Sequence, residues 1–549
     1  MSPPVTADEG PVLLQTDEGP TLRWRGVDFY PRKEPVSYAR RKARVFSPLP
    51  RTLYYVPSLG LGHGLPELLE KLPQSSAVLC VEAFQEVMGI ALQRGVFRDP
   101  RLVMVRTVEP DAAVAALRSL GTGRFRRVVE MPLCAGYRLA PEAYAAVRRG
   151  LEREIMRFWQ NRLTLIAMGS LQVRNLLSNL PLLRDALDFS ALSTSLPVVV
   201  AGAGPSLEES LPLLAEHRGR FALLAVDTAL PTLGACGITP DIVMDVEAQA
   251  ANNADFLPAP ARDPHPASAG PFLACDLSVH PTAARLFAGR TCFFSSEFAP
   301  LRLWDRLAGC GLRPAPFPAL GSVGVAAVFA ALRLSGAQVF LTGLDFAFPG
   351  SRTHARGSPF ILAALERVTR FEPVGQSGFQ ALAVRRLLRA ADKHGRPVLT
   401  DRVMGSYRDG LEAETRAFAG RVYDCGQTGL PLGLRTVSTG QFADLLASGP
   451  EEQERIRVDR RRRFPVDALG PLVAAERDLL SRMAGAAAAY ASGTAAAEEV
   501  AALLTEADYA WAHFPDQPEM SSLDKGFVAR ARIAALYYEQ RLRRIESRL

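Results

Sequence analysis

The seven cysteines, at 80, 134, 236, 275, 292, 310 and 425, form no C-x-x-C pair and precede no H-x-x-x-H. That excludes a zinc module or a disulfide scaffold and leaves reduced core thiols as the expectation. No run of 18 apolar residues occurs, so no membrane span is predicted. The opening Met1-Ser2-Pro3-Pro4, followed by acidic residues, lacks the basic and apolar regions of a secretory leader, so a cytoplasmic protein is expected. Lysine is scarce, and the net charge of +7 comes from scattered arginines. With no RNA- or DNA-binding motif beside them, nucleic acid is not an expected partner. The P-loop pattern G-x-x-x-x-G-K-[ST] is absent too.

What is present is a chain of 549 residues, 48% hydrophobic and 22% charged, the balance of a globular protein. A length prior of roughly 100–200 residues per domain divides it into about three units. The most informative stretch is 196–247. Val198-Val199-Val200-Ala201 reads as a strand that breaks at Gly202-Ala203-Gly204-Pro205-Ser206 and passes into a helical pattern at Leu207, Leu211 and Leu214. Two further apolar runs end on Asp227 and Asp245, giving a β-α-β-α-β series and hence a parallel sheet.

Gly202 and Gly204 let the backbone turn tightly, and Pro205 suits a first helical turn because its missing N–H has no partner there. Free amides at that turn would suit a phosphate. The aspartates at strand ends would suit ribose hydroxyls, a metal or an acceptor proton. The turn lacks the third glycine of G-x-G-x-x-G, so a dinucleotide fingerprint is not met, and a purely structural tight turn is the alternative.

Taken in order, residues 1–45 read as an N-terminal arm rich in Pro, Gly and charge. Residues 46–150 carry a second strand, glycine loop and helix unit, in which Glu82 lies 22 positions past Gly60, a spacing for a ribose-binding acid. With no catalytic motif following, a structural Rossmann-like accessory domain is the better reading, and His63 is a loop residue without a role. A helical linker, 151–195, shows leucine periodicity with a break before Pro181, and Met156, Phe158, Trp159 and Met168 read as core. A catalytic domain spans 196–440.

Within that domain Asn252 and Asn253 stand where the chain leaves a strand, and Pro258 to Pro271 read as a flap. Gly321-Ser322-Val323-Gly324 forms a second tight turn before a helix. Gly321 and Gly324 allow close approach, and the Ser322 hydroxyl can donate to a phosphate or carboxylate oxygen. Asp345 after a strand, and His354 in a loop bounded by Gly350 and Gly357, are the acid/base candidates, because imidazole titrates near neutrality. Tyr407 either touches a ligand or packs. From 441 to 549 the pattern is a helical C-terminal domain, and Arg460-Arg461-Arg462-Arg463 reads as a solvated face.

Together, Gly202 to Leu207, Asp227, Gly237-Ile238-Thr239-Pro240-Asp241, Asp245, Leu341 to Ala347 and His354-Ala355 resemble the motility-associated factor (Maf) family of flagellin glycosyltransferases. That family shares its core with 6-hydroxymethylpterin pyrophosphokinases. The resemblance implies an α/β fold with a Rossmann-like parallel-sheet catalytic domain similar to bacterial sialyltransferases, an N-terminal Rossmann-like domain and a helical C-terminal domain. It also implies transfer of a nonulosonic sugar of pseudaminic or legionaminic type from CMP to Ser or Thr of flagellin, in support of flagellar assembly and motility. In that reading Gly202, Gly204, Pro205, Ser206, Gly321, Ser322 and Gly324 hold phosphate and carboxylate. Asp227, Asp245 and Asn252 fix ribose, base or acceptor, and Asp345 and His354 serve the attacking hydroxyl. No cofactor is required, although the surplus of aspartates leaves room for Mg²⁺, and a homo-oligomer is compatible. Two alternatives stay open, an ATP-dependent pterin pyrophosphokinase and a non-catalytic flagellar assembly or chaperone factor.

Overall fold

The structure, a computed structural model, describes every residue except 1–9, 95–97, 257–269, 297–298, 451–453, 517–519 and 521–522. Most of the expected flap lies outside the described residues. The chain divides into two compact units, Met1–Thr164 and Leu165–Leu549.

The first unit opens with three antiparallel strands, β1 (Val12–Leu14), β2 (Thr21–Trp24) and β3 (Val27–Asp28), and helix α1 (Pro35–Arg44). Residues 10–45 of the stretch expected to be an arm are therefore folded into their own unit. Leu22, Trp24, Phe29 and Tyr30 share a buried core with Ala39, Leu61, Val87 and Cys134, because aromatic side chains of that size are too apolar to leave in water. Next comes a parallel sheet of β4 (Thr52–Pro57), β5 (Ala77–Val81), β6 (Leu102–Val105) and β7 (Arg127–Glu130), in the order β6-β5-β4-β7. Helices α2 (Leu65–Lys71), α3 (Gln85–Arg94) and α4 (Pro110–Leu120) form its crossovers.

The glycine loop after β4 is closed from within. The Glu82 carboxylate accepts from Ser58 Oγ at 2.9 Å, Leu59 N at 2.9 Å and the Tyr144 hydroxyl at 3.1 Å. Gly60 has φ +56°, and a Cβ there would stand 2.6 Å from the Tyr30 hydroxyl. The acid with ribose spacing thus ties down its own loop, in keeping with the structural reading of this sheet. Helix α5 (Pro141–Asn179) is continuous over 39 residues and gives way at Pro181 to a 3-10 turn, Leu180–Arg184. On it, Met156 and Phe158 are exposed rather than core.

The second unit is built on a wholly parallel ten-stranded sheet. In chain order its strands and their neighbours are β8 (Leu187–Asp188), β9 (Leu192–Ser193), β10 (Val198–Ala201), β11 (Ala222–Val226), β12 (Ile242–Asp245), β13 (Phe272–Asp276), β14 (Thr291–Ser296), β15 (Ala315–Phe317), β16 (Val339–Thr342), β17 (Leu387–Ala391), β18 (Pro397–Asp401), β19 (Val422–Asp424) and β20 (Arg435–Thr436). The sheet runs β15-β14-β13-β12-β11-β10-β16-β19-β20, with β8 also beside β14. β17 and β18 form a separate hairpin. Central strands such as Val198-Val199-Val200-Ala201 are buried on both faces, which is why they read as unbroken apolar runs.

Helices α6 (Leu207–Glu216), α7 (Leu230–Ala235), α8 (Pro281–Leu286), α9 (Arg302–Gly309) and α10 (Val323–Leu334) connect the strands up to β16. Beyond β16 follow α11 (Pro359–Leu365), α12 (Val374–Ala383), α13 (Arg402–Thr415) and α14 (Thr439–Ala447). The C-terminal helices are α15 (Leu469–Ser492), α16 (Ala497–Glu506) and α17 (Lys525–Glu546). Alternation along the strands divides the packing: Ile242, Met244, Ala274, Cys292 and Phe294 belong to one core, and Val243, Leu273, Cys275 and Phe293 to the other. Leu472, Leu480, Val528 and Tyr538 of α15 and α17 lie in that second core. The helical C-terminus accordingly covers a face of the ten-stranded sheet instead of burying only itself.

From β10 the chain walks outward to β15, then returns through α10 and lays β16 on the opposite side of β10. Between β10 and β16 the strand order reverses. Open parallel sheets hold ligands at such a point, outside the carboxyl ends of the strands.

Candidate active site

The turn after β10 meets the turn after β16 backbone to backbone. A Cβ on Gly202 would overlap the Gly343 carbonyl oxygen, and one on Gly343 would overlap that of Gly202. Gly202 N donates to Thr342 O and Gly204 N to Gly343 O, each at 2.8 Å, while Ser206 N donates to Asp345 Oδ2 at 3.0 Å. The donors expected to cradle a phosphate are therefore satisfied inside the protein, with the Asp345 carboxylate in the position of an anion at the start of α6.

Asp345 is buried, accepts a second bond from Thr428 Oγ1 at 3.1 Å, and lies beneath Gly429, where a Cβ would strike its backbone. Burial raises its pKa against those bonds. Beneath it lies a charge pair absent from the motif reading: Lys393 Nζ contacts Asp424 Oδ1 at 2.8 Å, with 3% and 2% of the two side chains exposed. A lone lysine in a polar loop carries no sequence signal; its role comes from the fold.

At the ends of β11 and β12 four carboxylates lie close enough to repel one another. They are Asp227, Asp245, Glu247 and Asp255, and no cation neutralises them among the described residues. Asp227 Oδ1 accepts from Thr228 N at 2.7 Å, and Thr228 Oγ1 donates to Asp255 Oδ2 at 3.0 Å. Asp227 Oδ2, buried, has no partner. Burial first, then the charge of Asp255, pushes the Asp227 pKa up to about 7, and burial followed by Asp227 raises that of Asp245. Asp255 was legible only as the end of the Asn252-Asn253-Ala254-Asp255 run. Asn252 is half-buried and Asn253 Nδ2 lies 3.2 Å from His280 Nδ1.

The second glycine turn has a different character. Gly321, at φ +71°, is exposed and lies against Tyr407, whose ring would stand 3.2 Å from a Cβ there. Gly324 packs on Leu344, on the turn after β16. No side chain caps the start of α10, although Ser322 occupies the capping position, so the positive end of a 12-residue helix is left without a side-chain partner. Burial, then Glu247 and Asp401, raise the Tyr407 pKa, which puts Tyr407 within electrostatic reach of the carboxylate cluster. Arg385 pairs with Asp401 at 2.8 Å.

His354 is brought to the same mouth. The Ala355 amide donates to Ala203 O at 2.9 Å, and Glu208 clamps Arg352 and Arg356 at 2.7 and 2.9 Å. These bonds hold its loop across the first glycine turn. The imidazole Nδ1 lies 3.2 Å from Thr353 Oγ1, and Phe360 at the start of α11 stands beside the ring. Burial, and then the Arg385 charge, lower its pKa, which favours neutral imidazole near pH 7. Among the described residues no three His, Cys, Asp or Glu side chains are arranged to hold a metal ion.

These features define an α/β protein whose parallel sheet carries a cluster of carboxylates at the ends of β11 and β12, next to its switch point. Residues 174–351 match the family model described as 6-hydroxymethylpterin diphosphokinase MptE-like. The fold is that of MAf glycosyltransferase from Magnetospirillum magneticum AMB-1, matched over 97% of this chain and 87% of that one at TM-score 0.51 and 17% identity. An uncharacterized protein of Treponema pallidum (strain Nichols) is 27% identical over 98% of this chain and 96% of its own length. A second protein of that organism is 33% identical over 26% of this chain and 38% of its own. The two affinities expected from the motif blocks, to Maf proteins and to a pterin pyrophosphokinase core, are thus both found. No helix among the described residues is long and apolar enough to cross a membrane.

Proposed function

We propose that this chain is a glycosyltransferase that moves a nonulosonic sugar from a CMP donor to Ser or Thr of flagellin. The observation that carries the reading is the convergence, at the switch point of a Maf-like fold, of an uncapped helix start, a carboxylate cluster and a neutral histidine. The start of α10, with Ser322 and the amides of Val323 and Gly324, would receive the donor phosphate or the sugar carboxylate. Asp227, through its unpartnered Oδ2, and Asp245 would exchange hydrogen bonds with donor hydroxyls, with Asn252 reading the base.

His354 would take the proton of the acceptor hydroxyl as its oxygen bonds to the anomeric carbon, while the anomeric carbon–phosphate oxygen bond breaks and CMP departs. Asp345 does not face the acceptor in this scheme. It positions the Gly202–Ser206 turn, and through Ala203 the His354 loop. Phe371, Phe379 and Val384 are 83%, 71% and 87% exposed on the segment that follows His354, and a protein acceptor would cover such a surface.

The family-model match and the acidic cluster favour one second reading, an ATP-dependent pterin diphosphokinase. Mg²⁺ would have to be held there, and the described carboxylates do not converge as a three-ligand set. Calorimetry with CMP, and with ATP plus Mg²⁺, separates the two. CMP binding without metal, with transfer to flagellin reduced about 10²–10⁴-fold in His354→Ala while CMP affinity is kept, is the expected result. Binding of ATP only with Mg²⁺ would favour the diphosphokinase. Binding of neither would leave an assembly factor.

A further inference from the structure

A second polar cavity lies in the same unit, on the helical side. It has a volume of about 470 Å³ and is lined by Arg174 and Ser178 of α5, His280, Thr282 and Arg285 at α8, and Arg541, Arg544 and Arg548 at the end of the chain. Five guanidinium groups and an imidazole face it, and no carboxylate lines it. Spacings of three and seven put Arg541, Arg544 and Arg548 on one face of the last helix and its end. Among the described residues none of the five arginines has a carboxylate partner.

Arginines close by behave differently. Arg543 pairs with Glu539 at 2.7 Å and Arg477 with Glu546 at 2.6 Å. Pairing is therefore available on this surface, and the residues facing the cavity are the ones left without it. Gathering five cations around one cavity is unfavourable unless an anion joins them.

We propose that this cavity binds a small molecule bearing two or more phosphate groups. Each phosphate carries roughly −1.5 to −2 charge, so two or three neutralise five guanidinium groups. The planar guanidinium fork matches phosphate oxygens, the volume falls within the range of small-ligand sites, and Thr282 adds a hydroxyl donor. Pro181, Leu182, Pro281 and Ile545 supply an apolar wall for the rest of the molecule.

The cavity also borders the segment that carries the carboxylate cluster. His280 N donates to Glu247 O at 3.0 Å, and Asn175 Nδ2 donates to Ala248 O at 2.9 Å. Asn253 contacts His280 as described above. An anion held here steadies residues 247–256, and with them Glu247 and Asp255.

The test is calorimetry of the full chain with inorganic pyrophosphate and tripolyphosphate, and with an acidic octapeptide, at two salt concentrations. Wild-type protein is expected to bind the phosphates, and the exposed-residue variant R544Q/R548Q to bind at least about tenfold more weakly with its thermal midpoint unchanged. A control variant in the exposed arginine run, R460Q/R461Q, should bind like wild type. Pyrophosphate should also slow amide exchange at 247–256 in wild type and not in R544Q/R548Q. Absence of phosphate binding, equal binding by R544Q/R548Q, or binding of the acidic peptide alone would each overturn the proposal.

Discussion

Replacing Asp227 with Asn tests the carboxylate cluster directly. The folded-state pKa of about 7 stands about three units above the ordinary carboxylate value of 3.8. At ~1.4 kcal/mol per unit the charged form is disfavoured in the folded protein by about 4 kcal/mol, an upper figure because Asp245 shares the repulsion. A group with a raised folded pKa contributes its stability in full below its unfolded pKa and loses it as pH climbs to the folded value. Wild-type protein should therefore lose about 3 kcal/mol between pH 5 and pH 8 through this group alone, and Asp227→Asn should not. With ~2 cal/mol/K per residue of unfolding entropy over a unit of this size, that difference is about 4 °C in thermal midpoint. Scanning calorimetry at pH 5, 6, 7 and 8 should show the variant gaining on the wild type at each step up to pH 7, then levelling. A constant offset across pH would refute the claim that Asp227 is held neutral by burial and its neighbours. The same variant should lose CMP affinity, since an amide NH₂ group replaces the carboxyl Oδ2 that has no partner within the protein.

Two other perturbations bear on the framework beneath the crevice. In Gly204→Ala the new Cβ would overlap the Asp345 carboxylate, so stability should fall by about 2 kcal/mol and the His354 loop should loosen, read as a lower thermal midpoint and faster amide exchange near 355. Lys393→Met leaves Asp424 buried and unpaired and should destabilise by about 3–5 kcal/mol in denaturant titration, whereas Lys393→Met with Asp424→Leu should recover much of that loss.

Sequence by itself determined the central parallel sheet, because strands buried on both faces must be apolar throughout and their crossovers need helices between them. It also marked the two glycine turns, with Asp227, Asp245 and Asp345 at strand ends, since only small or polar residues break such runs, and His354 in a loop between two glycines. Tertiary structure decided what those residues face. Gly202 and Gly204 are small so that two turns can touch, and Asp345 from β16 fills the anion position at the start of α6, 139 residues away in sequence. No periodicity encodes that pairing, which depends on the crossover that places β16 beside β10. The same holds for the N-terminal residues, whose aromatics find a core only once the loop after β4 and helix α3 exist, and for the C-terminal helices, whose apolar stripe is completed by the alternate face of β12 to β14. The arginine cavity belongs here as well: its members come from three segments spread between residues 174 and 548 and are gathered only when the helices pack.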